Sequence, residues 1–83
     1  MIVKALIDKG ANPNAHREDG LTALHRAAAM GHNYIVAYLI EAGADLDARI
    51  FEHGVTPLHA AVGQGHEEVV KLMIRKGAGT NWL

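Results

Sequence analysis

Apolar residues recur along this chain at a spacing that starts, stops and starts again. Ile2, Val3, Leu6 and Ile7 set the pattern; Ile35, Val36, Leu39 and Ile40 repeat it, and Val69, Val70, Met73 and Ile74 repeat it again. Positions i, i+1, i+4 and i+5 fall on one face of a helix but on both faces of a strand, so each group predicts a helix. Two shorter segments, "TALHRAAAM" at 22–30 and "TPLHAAVGQ" at 56–64, each precede one of these helices. Thr56 suits a helix N-cap, where its hydroxyl accepts a hydrogen bond from an unpaired backbone N–H. Pro57 then occupies the first helical position, where its fixed φ fits and its missing N–H costs nothing. Gly31 and Gly65 stand where these short helices end and the chain needs φ > 0. Glu67 and Glu68 open the last predicted helix and Arg75 and Lys76 close it, in the sense that complements the helix dipole. "KGANPN", "AGADLD" and "KGAGTN" follow the longer helices as glycine-stopped, extended turns. The predicted fold class is all-α.

The segments form a repeat, which is the first thing to establish because it decides the architecture. Residues 20–48 align on 54–82 with identities at Gly20, Thr22, Leu24, His25, Ala27, Gly31, His32, Val36, Ile40, Gly43 and Ala44. Upstream, "IVKALIDKGANPNA" aligns on "IVAYLIEAGADLDA" at an offset of 33. The offset grows to 34 between the next pair because "ARIFEHG" carries one residue more than "AHREDG". An insertion in a connection is the tolerated kind. The chain therefore divides into a partial unit at 1–15 and two fuller units at 16–48 and 49–83, within a single array.

T-[PA]-L-H, A-A/V, G-H, [IV]-V and G-A at this period resemble the ankyrin repeat, and the resemblance covers the whole chain. It implies a helix-turn-helix solenoid with hairpin-like connecting loops, stacked in an L shape whose loop tips and inner helices form a concave binding face. It also implies that the T-P-L-H histidine bonds to its threonine and to the neighbouring connection, and that the G-H histidine sits in the turn between helices. Three departures stand out. Ala23 replaces the usual proline and gives up as much as about 1 kcal/mol of pre-organisation. Gly63 lies late in a helix that prefers alanine there, a cost of roughly 1 kcal/mol. Gly79 and Thr80 weaken the last turn, and the first unit lacks its inner helix.

Composition narrows the functional classes. Eight basic and nine acidic residues in 83 leave a formal charge of −1, with neither a basic stripe for nucleic acid nor a like-charge tail. Lys4, Asp8 and Lys9 break the apolar start too early for a signal peptide or a membrane span. The chain contains no cysteine, which removes disulfides, thiolate metal sites and cysteine nucleophiles together. A soluble protein of the cytoplasm, with the nucleus as the other reducing compartment, is the expectation.

Six histidines raise the question of metal or catalysis. His25 and His32 are seven residues apart, about 10 Å along a continuous helix, with no recurring acidic ligand beside them. The sequence holds no serine for a Ser-His pair. His25, His32, His59 and His66 recur once per unit in step with leucine and glycine, which makes them architecture. No catalytic residue, metal or cofactor is expected. His16 and His53 fall in the connections, where they either touch a partner or are simply solvated.

In a stack the repeated positions are buried, so function must use those that vary. The ankyrin resemblance places Arg17, Glu18, Asp19 and Leu21 on the first connection, and Arg49, Ile50, Phe51, Glu52, His53 and Val55 on the second. On the inner helices Arg26, Ala29 and Met30 correspond to Ala60, Gly63 and Gln64. The insertion brings in the chain's one phenylalanine, beside Ile50 and rimmed by Arg49, Glu52 and His53. Exposed apolar groups with a polar rim anchor interfaces; the other reading is that Phe51 folds back onto the loop or the neighbouring helix. Leu21 and Val55 are expected to support the loops, and Tyr38 to pack between units. Trp82 and Leu83 either cap the end of the stack or mark where a longer array was cut. Two functions follow: a non-catalytic module binding a protein partner through the concave face, or a structural segment that self-assembles through open ends, since about two and a half units is fewer than a solenoid usually needs.

Overall fold

A computed structural model describes residue 10 and residues 12–79. The expectations for Ile2, Val3, Leu6, Ile7, Thr80, Trp82 and Leu83 lie outside them. Four helices run in chain order: α1 (Ala23–Met30), α2 (Asn33–Glu41), α3 (Pro57–Gly63) and α4 (Glu67–Arg75). Each short helix turns straight into a longer one, and the α1–α2 pair stacks on the α3–α4 pair, inner helix on inner helix and outer on outer. Among the described residues there is no sheet, only one isolated bridge between His16 and Thr22 at the base of the first connection.

Each inner helix begins with a closed ring of hydrogen bonds. The Thr22 hydroxyl accepts from the His25 backbone N–H at 3.2 Å, and the Thr22 backbone N–H donates to His25 Nδ1 at 3.2 Å. Thr56 and His59 repeat both bonds. This is a capping box in which histidine takes the place usually held by glutamate or glutamine. Gly31 ends α1 in the left-handed region at φ 72°. At the start of α4 Glu67 and Glu68 face the helix dipole, whereas α2 carries no acid in its first turn.

The core is the repeated set. Leu24, Ala27, Ala28, Val36, Leu39, Leu58, Ala61, Val69 and Met73 are buried, with Ile35, Ile40 and Val70 packed at their edge. Small residues on the inner helices let the two pairs approach closely, and the longer side chains of α2 and α4 fill the second layer. Ala44 and Ala78, of the two G-A turns, close the core from below.

Hydrogen-bonded ties cross from unit to unit. With Nδ1 accepting from Thr22, the ring hydrogen of His25 is on Nε2, which donates to Val55 O at 2.8 Å. His66 Nε2 donates to Ala29 O at 2.8 Å, so the G-H histidine also reaches the preceding unit. Asn14 donates to Gly43 O at 3.1 Å and accepts from the Asp45 N–H, while Asp47, at the matching place in the next turn, accepts from Gly79 N–H at 2.9 Å. His32 stands in the same G-H pair as His66, yet its ring is exposed and makes no hydrogen bond among the described residues.

Candidate functional site

The two connections differ by one residue, and the hydrogen bonds show where it goes. Arg17 N–H donates to Leu21 O at 2.9 Å, so the first tip holds residues 18–20; Ile50 N–H donates to Val55 O at 2.8 Å, so the second holds residues 51–54. The longer tip closes because His53 and Gly54 both adopt left-handed backbone, at φ 69° and 63°. Glycine does this freely. Histidine does so at a cost, and it is the one non-glycine residue with positive φ among those described.

The first tip is stiffened by its own side chains. The Arg17 guanidinium reaches Asp19 at 2.7 Å, and the Asp19 carboxylate also accepts from Leu21 N–H at 3.1 Å. The bond from Arg17, then that from the Leu21 amide, lowers the Asp19 carboxyl to about 2. Both side chains are exposed, so the pair orders the tip more than it stabilises the fold. Leu21 and Val55 take loop-supporting positions: each carbonyl receives the hydrogen bond that closes its loop.

The connections are joined to each other. Phe51 N–H donates to Asp19 O at 2.8 Å, across the units. The Phe51 ring lies on Gly20 and meets the His16 ring edge-on, with centroids 5.5 Å apart. Gly20 has φ 90°, and a Cβ there would stand 2.6 Å from Arg49 O and 2.9 Å from Phe51 Cδ1. The Phe51 ring folds over the neighbouring tip, and 67% of its surface stays open. Ile50 is half-buried beneath it, while Arg49, Glu52 and His53 are exposed. His53 Nε2 lies 3.5 Å from Glu52, and Arg49 has no ion-pair partner among the described residues.

On the inner helices Arg26 and Met30 are exposed one turn apart on α1, and Gln64 is exposed just past α3. Arg26 is the one charged side chain that α1 and α3 carry. Ala29 and Ala60 are half-buried between the helices, and Gly63 is open. Glu18 extends from the first tip into solvent. Sequence reasoning did not identify His16, Gly20 or Asn14 as joints between units. Gly20 and Gly54 align, and so do Asn14 and Asp47, so the repeat itself carried the signal. Those residues read as ordinary turn formers because their partners belong to another unit.

The repeated histidines are engaged by the fold itself. Both ring nitrogens of His25 are engaged by protein groups, and His66 Nε2 is held by a carbonyl. Among the described residues no three histidine, aspartate or glutamate side chains gather as a metal site, and no helix is long and apolar enough to cross a membrane.

A family model for ankyrin repeats in three copies matches residues 1–81. Over 45 residues the chain is 44% identical to the inactive serine/threonine-protein kinase TEX14 of Bos taurus, covering 54% of this chain and 3% of that protein. It is 39% identical over 48 residues to ankyrin repeat-containing protein P1E11.10 of Schizosaccharomyces pombe, covering 58% and 23%. It is 43% identical over 47 residues to human ankyrin repeat domain-containing protein 39, covering 57% and 26%. The chain spans about a quarter or less of the length of these relatives.

Proposed function

Because the chain belongs to the ankyrin-repeat family, whose repeats generally mediate protein–protein interaction, we propose that it is a non-catalytic binding module whose contact surface is the joined tips and the inner helices. The observation that carries this reading is Phe51, two-thirds exposed but held in place by a backbone bond to Asp19 and by the close approach of Gly20. An apolar ring fixed in one position pays little ordering cost on binding. Arg17, Glu18, Asp19, Arg49, Glu52 and His53 surround it as a polar rim. Arg26, Met30 and Gln64 continue the surface along α1 and past α3. Recognition is by shape and side-chain complementarity, with no cofactor, in the cytoplasm or nucleus.

Affinity capture from lysate tests this with three variants of matched folding. Ile50→Ser with Phe51→Ser is expected to weaken recovery of a captured protein at least tenfold, the effect of removing one buried apolar anchor. Arg26→Glu with Met30→Ser should also weaken it, while Lys71→Glu on the outer helix should leave it unchanged. Equal recovery by the first two variants and the natural chain would remove the concave face from the account.

A further inference from the structure

We propose that the Asp19–Gly20 peptide is a chemical modification site: it isomerises through a succinimide to isoaspartate when the Arg17 contact is lost, and the change unlatches the two connections. Nowhere else in the sequence does aspartate or asparagine precede glycine. Glycine has no side chain to shield its backbone nitrogen, so in this pair the nitrogen reaches the aspartate carboxyl carbon with least hindrance. Gly20 N attacks Asp19 Cγ, an N–C bond forms, and the carboxyl hydroxyl leaves with the amide proton as water. Water then cleaves either C–N bond of the imide. Cleavage at the original peptide bond leaves isoaspartate, of unchanged mass, and needs no other reactant.

Contacts of the folded tip hold this reaction back. The Gly20 N–H donates to Arg17 O at 2.9 Å, so the attacking nitrogen is already engaged. The Arg17 guanidinium reaches one carboxylate oxygen of Asp19 at 2.7 Å, and the Leu21 N–H donates to the other at 3.1 Å. Ring closure must turn the carboxyl away from both. It also consumes the protonated acid, and the bond from Arg17, then that from the Leu21 amide, lowers this carboxyl to about 2. Arg17 and Asp19 are both exposed, so theirs is the contact that salt or a competing carboxylate can take away. Arg17 is therefore the gate.

The product cannot keep the joint between the tips. Isoaspartate routes the main chain through Cβ and Cγ, which puts one more atom between Asp19 Cα and Gly20 N. The former Asp19 carbonyl, which accepts the Phe51 N–H at 2.8 Å, becomes a carboxylate branching off the chain. Gly20 has little room to take up the extra length, because a Cβ on it would already stand 2.6 Å from Arg49 O and 2.9 Å from Phe51 Cδ1. The chemistry is the same whatever the tips bind.

Incubation of the whole chain at neutral pH, with isoaspartate counted by peptide mapping, tests the proposal. The folded natural chain should accumulate it at least tenfold more slowly than the same chain held unfolded in urea. Arg17→Ala, an exposed change whose melting should match the natural chain, should speed accumulation about tenfold, the effect of one lost hydrogen bond to a charged group. Sodium chloride at about 1 M, which screens the exposed pair without a substitution, should act in the same direction. Arg49→Ala, which removes a neighbouring exposed cation, should leave the rate unchanged. In the isoaspartyl chain, separated by ion exchange, hydrogen exchange at the Phe51 amide should accelerate. Equal accumulation in the natural chain and Arg17→Ala would overturn the proposal, as would an equal rise in Arg49→Ala, or folded and unfolded chains reacting alike. Phe51 exchange as slow in the isoaspartyl chain as in the natural one would overturn the opening of the joint.

Discussion

Replacing His25 with alanine is expected to lower folding stability by about 3 kcal/mol, the sum of a lost helix cap, a lost buried hydrogen bond and a cavity. His25 is 1% exposed, and its ring bridges two units. On one side Nδ1 accepts from the Thr22 N–H; on the other Nε2 donates to Val55 O. Alanine leaves the Thr22 N–H without its ring acceptor and takes from Val55 O the bond that ties α1 to the second connection. Val55 O still receives Ile50 N–H, so the loop itself stays closed and the loss falls on the joint between units. At roughly 0.05–0.15 kcal/mol per residue, an array of this size has about 4–12 kcal/mol in total, so the variant should keep a much reduced margin and melt at a clearly lower temperature. Urea titration followed by circular dichroism measures the change. His32→Ala is the internal control. It removes an exposed ring with no hydrogen bond among the described residues, and dilute chain should shift by less than about 0.5 kcal/mol. Equal losses in the two variants would show that the histidine ties contribute nothing specific.

Gly20→Ala is expected to cost about 2–4 kcal/mol and to release the second connection from the first. Two separate effects combine. A φ of 90° disfavours any residue with a Cβ, and that Cβ would lie 2.6 Å from a backbone oxygen, Arg49 O. The Phe51 ring can swing aside, but the carbonyl cannot move without drawing the whole connection with it. Gly43 separates the two effects: its φ is 98°, yet nothing lies within 4 Å of its missing Cβ. Gly43→Ala should therefore cost only the backbone part, about 1–2 kcal/mol. Amide hydrogen exchange at Phe51, whose N–H is bonded to Asp19 O, should accelerate in Gly20→Ala and stay slow in Gly43→Ala. Because this joint holds the proposed anchor, Gly20→Ala should also weaken partner capture without altering any contact residue.

The fold was legible because stacking demands repetition. A residue that must be buried against the same neighbour in every unit must recur, so Leu24 with Leu58 and Ala27 with Ala61 announced the core. The caps were legible for the same reason: Thr22 and Thr56 close a ring within four residues of chain. What escaped was everything set by a neighbouring unit. His32 and His66 stand in the same G-H pair, and only the Ala29 carbonyl of the neighbouring unit marks His66 as a tie. The offset of 33 against 34 revealed an inserted residue, but not that His53 and Gly54 would absorb it by turning left-handed. The direction of Phe51 depends on Gly20, some thirty residues upstream, whose lack of a side chain admits the ring. Asn14 and Asp47 occupy the same place in successive turns, yet each looks like an ordinary turn former until the next unit is laid beside it.

The most direct measurement is amide chemical-shift mapping of the nitrogen-15-labelled chain, titrated with the captured protein. Perturbation concentrated at Arg17–Asp19, Arg49–His53, Arg26, Met30 and Gln64 is the predicted result. Perturbation confined to the outer helices, around Tyr34, Lys71 and Arg75, with the tips unmoved, would contradict it.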